Sequence, residues 1–303
     1  MTHGFLASPG DCDTRRGVSP PMTRASARTG GITRRDLLRA LTAVGAGTAV
    51  GASAFGFLYE RHHIEITRTP IAVAGLPDAL NGLKVGFLTD LHRSATVPAA
   101  LIESAVKLLM QEQPDIIVLG GDYVTYGDRR FVPRVAEDLA PLAAPHGVFA
   151  VLGNHDDDRD MPAALTQRGV EVLRDARTRR TIRGETLDII GIRYWTRKLS
   201  DLTKLARGAA PATMFVAHTP SRLTEAAQLG LPLMLSGHTH GGQVVLPIVG
   251  AVAARSFPIV SGHGSLDGTA AFVSRGIGTV YVPIRLDCPP EVAVLTLKPA
   301  EPA

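Results

Sequence analysis

Short apolar runs that stop at a polar residue recur along this chain of 303 residues. Leu83-Lys-Val-Gly-Phe-Leu-Thr-Asp-Leu-His92 is apolar up to Asp90 and His92. Pro114-Asp-Ile-Ile-Val-Leu-Gly-Gly-Asp122 repeats the form, and Val148-Phe-Ala-Val-Leu-Gly-Asn-His-Asp156 ends in Asn154, His155 and Asp156. Thr213-Met-Phe-Val-Ala-His218 and Leu231-Pro-Leu-Met-Leu-Ser-Gly-His-Thr-His240 complete the set. Continuous apolar runs bounded by Gly read as buried strands breaking into loops. Between them lie stretches with helical spacing. One runs from about Pro98 to Gln111, with Leu101, Ile102, Ala105, Leu108 and Leu109 on one face. Others run from Phe131 to Ala144, Ser200 to Arg207 and Ser221 to Leu229, with short helix and strand pieces from Met161 to Leu173. Residues 62–73 predict an edge strand ended by Pro70, and Thr181–Tyr194 a hairpin turning near Gly184. Beyond Gln243, turns are expected at Gly262-His-Gly264 and Asp267-Gly268, with antiparallel strands over 271–285 and 291–297. The alternation of strands and helices predicts one α/β domain over residues 60–299.

That alternation gives the polar strand ends their meaning. In open α/β sheets, sites form at the carboxyl ends of the strands. Asp90, His92, Asp122, Asn154, His218, His238 and His240 therefore converge on one edge. Taken alone, His238-Thr-His240 reads more readily as two surface loop histidines. In extended backbone, residues two apart face the same way, so both imidazoles can enter one site. Imidazole and carboxylate ligands suit Mn, Fe or Zn rather than Ca or Mg. No thiolate joins them, which excludes a Cys-type structural zinc site. Seven ligands exceed the need of one ion and divide naturally between two sharing a carboxylate. Such a pair is a template for displacement at phosphorus.

Asp-x-His, Gly-Asp, Gly-Asn-His-Asp, a strand-terminal His and Gly-His-x-His, in this order over residues 83–243, resemble the calcineurin-like metallophosphoesterase superfamily. Gly-Asp-Tyr-Val (121–124), Ala-His-Thr-Pro (217–220), Gly-His-Thr-His-Gly-Gly-Gln (237–243), and the tail from Ser-Arg-Gly-Ile-Gly (274–278) to Pro-Pro-Glu (289–291) resemble its bacterial YaeI/YkuE-like phosphodiesterase branch. The resemblance implies a four-layer αββα sandwich with a dimetal site at the carboxyl ends of the strands. It implies that Asp90, His92 and His240 bind one divalent metal ion and Asn154, His218 and His238 a second, with Asp122 bridging. His155 would contact the phosphate and assist the leaving oxygen, and Asp156 would orient His155. A hydroxide bridging the two metals would attack phosphorus in line with the ester oxygen. One departure stands out: many members read Gly-Asp-x-x-Asp at the second motif, where this chain has Thr125. Arg93, Arg275 and Arg285 are the candidate substrate-binding cations. Trp195 is expected in the core and His263 in a solvated loop.

Charge adds a leader to this picture. The net charge is +4, but residues 1–54 carry seven Arg and three Asp, and the remainder is neutral. No excess positive field remains to favour nucleic acid. Thr33-Arg34-Arg35-Asp36-Leu37-Leu38-Arg39 followed by the uncharged stretch Ala40–Leu58 resembles a twin-arginine (Tat) export signal. Ala52-Ser53-Ala54 offers a cleavage site. Uncleaved, the stretch would attach the protein to a membrane through residues 40–58, although Gly45, Gly47, Gly51 and Gly56 make it a weak span. Residues 1–21 are expected to be disordered, with Met22 an alternative start. Cys12 lies in the leader and leaves Cys288 alone, so no disulfide is expected in the mature part. That suits a protein folded before export, with the Tat machinery as partner and an extracytoplasmic location.

Three functions remain in view. The first is a metal-dependent phosphodiesterase acting outside the cytoplasm. The second is a membrane-associated pyrophosphatase acting on a nucleotide-sugar lipid, of the UDP-2,3-diacylglucosamine type. The third is a non-catalytic binding protein on the same fold.

Overall fold

The computed structural model describes residues 33–251 and 253–301. The expected disorder of residues 1–21, the Met22 start and Cys12 lie outside the described residues. Helix α1 (Arg34–Leu58) opens the described chain. Leu37–His62 is long and apolar enough to cross a membrane, as many signal sequences also are.

Two six-stranded sheets follow. The first has the order β1 (Glu65–Val73), β14 (Glu291–Pro299), β2 (Lys84–Leu88), β3 (Ile116–Leu119), β4 (Val148–Ala150) and β5 (Glu171–Val172). The second has the order β12 (Gly262–Leu266), β13 (Thr269–Val273), β9 (Leu233–Ser236), β8 (Ala212–Val216), β7 (Glu185–Gly191) and β6 (Ala176–Ile182). A two-stranded hairpin, β10 (Val245–Leu246) with β11 (Gly250–Ala251), stands apart.

Side chains alternate across each strand, and here both faces are apolar. Ile116 and Val118 of β3 meet Ile189, Met214, Leu233 and Leu235 of the other sheet. Ile117 and Leu119 point the opposite way, into a layer with Ile102 and Leu109 of helix α2 (Ala99–Gln111), Val135 of α3 (Val132–Asp138) and Leu165 of α4 (Asp160–Thr166). Phe215 and Met234 pack outward against Leu202 of α5 (Leu199–Ala206) and Leu223 of α6 (Leu223–Gln228). The layers are therefore α, β, β and α, the sandwich expected. Burial on both faces is why the central strands lack polar alternation. Parallel pairing of β2, β3 and β4, and of β7, β8 and β9, sends their carboxyl ends to one rim.

Several expectations need correction. Pro70 does not end β1; it lies exposed within it, opposite Thr296. An edge strand tolerates the missing N–H. Gly262-His-Gly264 is part of strand β12, and only Asp267-Gly268 turns. Residues 271–285 do not form one strand: β13 is antiparallel to β12, as expected, but parallel to β9, and no strand covers 274–290. The final strand is antiparallel to β2 but parallel to β1. The helix expected to reach Ala144 stops at Asp138. Trp195 is partly exposed rather than core.

Candidate dinuclear metal centre

Each ligand candidate sits two to four residues beyond the end of its strand. The chain must turn sharply there to aim a side chain across the rim. Asp90, His92, Asp122, His238 and His240 all adopt left-handed backbone, with φ between 48° and 72°. Such conformations cost a non-glycine residue free energy and concentrate at functional sites. The strain also corrects the extended geometry expected for His238-Thr-His240. The two imidazoles leave the loop toward different partners. Thr239 points away from both, its hydroxyl donating to the Val260 carbonyl at 2.6 Å.

Asp90, His92 and His240 form one group, and Asp122, His218 and His238 a second, with the donor atoms of each within 4.8 Å of one another. In the first group His92 Nε2 faces His240 Nε2 at 3.1 Å, and His240 Nε2 lies 3.4 Å from Asp90 Oδ1. In the second, His218 Nε2 lies 3.1 Å from Asp122 Oδ2 and 3.2 Å from His238 Nδ1. Asp122 Oδ2 is also 3.6 Å from His92 Nε2, so this carboxylate touches both groups. Asn154 borders the cavity that opens over Asp122, His238 and His240.

Hydrogen bonds fix which nitrogen His218, His92 and His155 present. His218 Nδ1 lies 2.8 Å from the Gly120 carbonyl, which can only accept, so Nδ1 holds the proton and Nε2 faces Asp122. His92 Nδ1 meets the Thr125 hydroxyl at 3.3 Å, leaving Nε2 toward the centre. His155 is opposite in sense: its Nδ1 accepts from the Tyr126 N–H at 3.0 Å. When neutral it therefore carries its proton on Nε2. Its ring packs edge-on to that of His92, with centroids 4.9 Å apart.

Asp156 does something other than orient His155. Its carboxylate accepts from the N–H groups of Asp122, Tyr123 and Gly153, at 2.7–2.8 Å. It thereby ties the loop carrying Asp122 to the loop carrying Asn154. Gly153 permits that approach, because a Cβ there would lie 2.0 Å from Asp122 Oδ1. The task expected of Asp156 falls to a main-chain donor, which residue type in the sequence does not signal. Tyr194 carries no such signal either. Its ring packs on His238 and His218 just past the end of β7, with centroids 5.6 and 6.0 Å apart.

The three candidate substrate arginines are committed elsewhere. Arg93 pairs with Asp138 at 3.0 Å and donates to the Ser94 and Val97 carbonyls. Arg275 pairs with Glu65 and Glu291. Arg285 is fully buried, its guanidinium donating to the carbonyls of Arg275, Gly276, Gly278 and Cys288. Each holds loop structure.

The electrostatics call for added positive charge. Burial pushes His92 down to about 3. Burial, with His218 beside it, pushes His238 down to about 4. Burial raises the Asp90 carboxyl. Burial acts to raise Asp122 as well, but His218, His92 and His155 hold it well below the usual carboxylate range. Burial would lower His218, yet the charge and hydrogen bond of Asp122 raise it to about 10. A proton on His218 is thus the cation these carboxylates recruit from within the chain, and bound divalent ions are the natural replacement. One buried polar atom without a partner fits the same account, Asn154 Oδ1. The donors are nitrogen and oxygen, as Mn, Fe and Zn accept. Cys288 takes no part as a ligand; its thiol contacts the His240 carbonyl at 3.1 Å.

The sequence profile of the calcineurin-like phosphoesterases matches residues 83–242, the span that supplies every ligand candidate. The chain belongs to that family. It is 31% identical to phosphodiesterase YaeI of Escherichia coli over 277 residues, covering 88% of this chain and 99% of that protein. It is 28% identical to the metallophosphoesterase YkuE of Bacillus subtilis over 285 residues, with 88% and 98% covered. A metallophosphoesterase of Aquifex aeolicus is 31% identical over 257 residues, with 79% and 94% covered. With the ligand groups in place, this calcineurin-like phosphoesterase is a metal-dependent hydrolase with a dinuclear centre.

Proposed function

We propose that the chain is a phosphodiesterase, with Asp90, His92 and His240 holding one divalent ion, Asn154, His218 and His238 the other, and Asp122 both. Two ions held there supply Lewis-acid charge to phosphoryl oxygens and lower the pKa of water. The chain's own contribution centres on His155. With Nδ1 occupied by the Tyr126 N–H, its Nε2–H is the donor available to a phosphoryl or leaving oxygen. Asp156 keeps Asp122 and Asn154 in register through three main-chain bonds.

The observation that carries a diester over other phosphates is the cavity beside the ligands, of about 590 Å³. Among the described residues, neither Lys nor Arg lines it. A monoester dianion or a pyrophosphate brings charge that would call for such groups, whereas a diester carries one negative charge. The similarity to a protein named phosphodiesterase YaeI supports the same choice. The metal-loaded chain should hydrolyse bis-p-nitrophenyl phosphate at least tenfold faster than p-nitrophenyl phosphate. Preference for the monoester would overturn the assignment.

We also propose that Arg34 and Arg35 direct export of the folded chain, with residues 40–58 as signal or anchor. Changing both arginines to Lys should retain the protein in the cytoplasm. Unchanged fractionation of that variant would remove the proposal.

A further inference from the structure

The cavity over the ligands is asymmetric in chemistry. Its floor is polar, formed by Asp122, Asn154, His155, His238 and His240. The rest of its lining is mainly apolar, with Val244, Leu246, Ala254, Phe257, Val280 and Val282 outnumbering Thr239, Gln243 and Tyr281. The two meet at His238, whose ring packs edge-on against Phe257 with centroids 5.4 Å apart. Val244, Leu246 and Ala254 come from a stretch, residues 244–254, whose sequence Val-Val-Leu-Pro-Ile-Val-Gly-Ala-Val-Ala-Ala contains no polar side chain. Most of that stretch forms the hairpin of β10 and β11, and an exposed apolar run of this kind marks a surface that meets something apolar. Ile248 at its tip is fully exposed, and Val249, Tyr281 and Val282 are each more than half exposed. The apolar surface continues along the 280–285 loop. There the Arg285 N–H donates to the Gly56 carbonyl in the last turns of α1, where Phe57 and Leu58 are exposed.

We infer that the site takes phosphoesters of an amphiphile. The phosphate lies over the ligand groups, and the apolar chain runs outward along the wall of Leu246, Phe257 and Val282. The occupant is fixed by continuity: the wall begins at a metal-ligand imidazole, so whatever covers it is joined to the group at the ligands. The lack of Lys and Arg among the described lining residues argues against a polyanionic extension on that side. This inference rests on the phosphoesterase reading of the same centre.

The test uses the full chain, loaded with Mn²⁺, and two esters with one leaving group, p-nitrophenyl methyl phosphate and p-nitrophenyl octyl phosphate. Both are kept below the concentration at which the octyl ester forms micelles. Each buried methylene strengthens binding roughly fourfold, so partial burial of the chain should raise kcat/KM for the octyl ester at least tenfold over the methyl ester. In Leu246→Ser and Val282→Ser the ratio of the two should fall at least threefold. Using the ratio cancels any difference in metal loading. Equal kcat/KM for the two esters, or an unaltered ratio in both variants, overturns the inference and leaves the phosphodiesterase reading standing. Calorimetric binding of octylphosphonate against methylphosphonate decides the matter independently of turnover. If neither ester is hydrolysed, the phosphodiesterase reading fails. Octylphosphonate binding at least tenfold tighter would then still uphold an amphiphile site, and equal affinities would remove it.

Discussion

His155 shows how a single main-chain bond can set chemistry. The Tyr126 N–H occupies Nδ1, so the proton of the neutral ring must sit on Nε2. Burial lowers the pKa of this imidazole, which keeps a neutral donor near pH 7. His155→Ala should retain both ions by metal analysis and lose about 10²–10⁴-fold in diester turnover. Full turnover would show that the ring does no proton work. Thr125 acts at one remove. Its hydroxyl meets His92 Nδ1, the position from which a metal-ligating histidine is usually oriented. Thr125→Val should weaken metal binding by about 10-fold, at the low end for loss of such a partner. Chelator competition would measure it. At this scale the sequence was informative about ligands and poor about cations. Asp, His and Asn stand out where an apolar run breaks. Arg93, Arg275 and Arg285 look alike in sequence, and their fates depend on Asp138, Glu65 and a set of carbonyls that only the folded chain brings near.

The loop over residues 274–290 resembles a strand in sequence because apolar residues alternate through Val280, Val282 and Ile284. Periodicity is silent about φ, and Gly276 and Tyr281 are both left-handed, at 67° and 62°. The loop folds instead around Arg285 and braces the centre. The Ile277 and Gly278 N–H groups donate to the Thr89 and Asp90 carbonyls, and the Cys288 thiol reaches the His240 carbonyl. At Gly276 a Cβ would lie 2.6 Å from that of Asp90. Arg285→Met should strand several buried carbonyls, each worth about 1–3 kcal/mol when unsatisfied. The loss should be at least about 3 kcal/mol by denaturant unfolding, together with weaker metal retention. A variant as stable as the parent would mean that the loop closes without its central cation. The strand ends were legible element by element, since both-face burial leaves an unbroken apolar run. The place of β14 between β1 and β2 was not, because an apolar pattern does not name the strand it pairs with.

Each ligand group draws on both sheets. Asp90 and His92 follow β2 of the first sheet, and His240 follows β9 of the second. Asp122 follows β3 of the first, while His218 and His238 follow β8 and β9 of the second. Bound ions therefore cross-link two layers otherwise joined by the apolar packing between them. Ions that bind the folded chain alone stabilise it by about 2.7 kcal/mol per site at a free concentration 100 times Kd. Two such sites correspond to roughly 10 °C or more in Tm for a domain of this size. Chelation of the loaded protein should lower Tm by that amount, and Mn²⁺ should restore it. His240→Asn, which damages one group only, should show about half the response. Because the second group also spans both sheets, the remaining half should disappear when His218→Asn is added. An unchanged Tm after metal analysis has verified removal of both ions would mean that the sheets reach their native packing without the cross-link. The left-handed ligand residues would then have to be held entirely by the loops behind them.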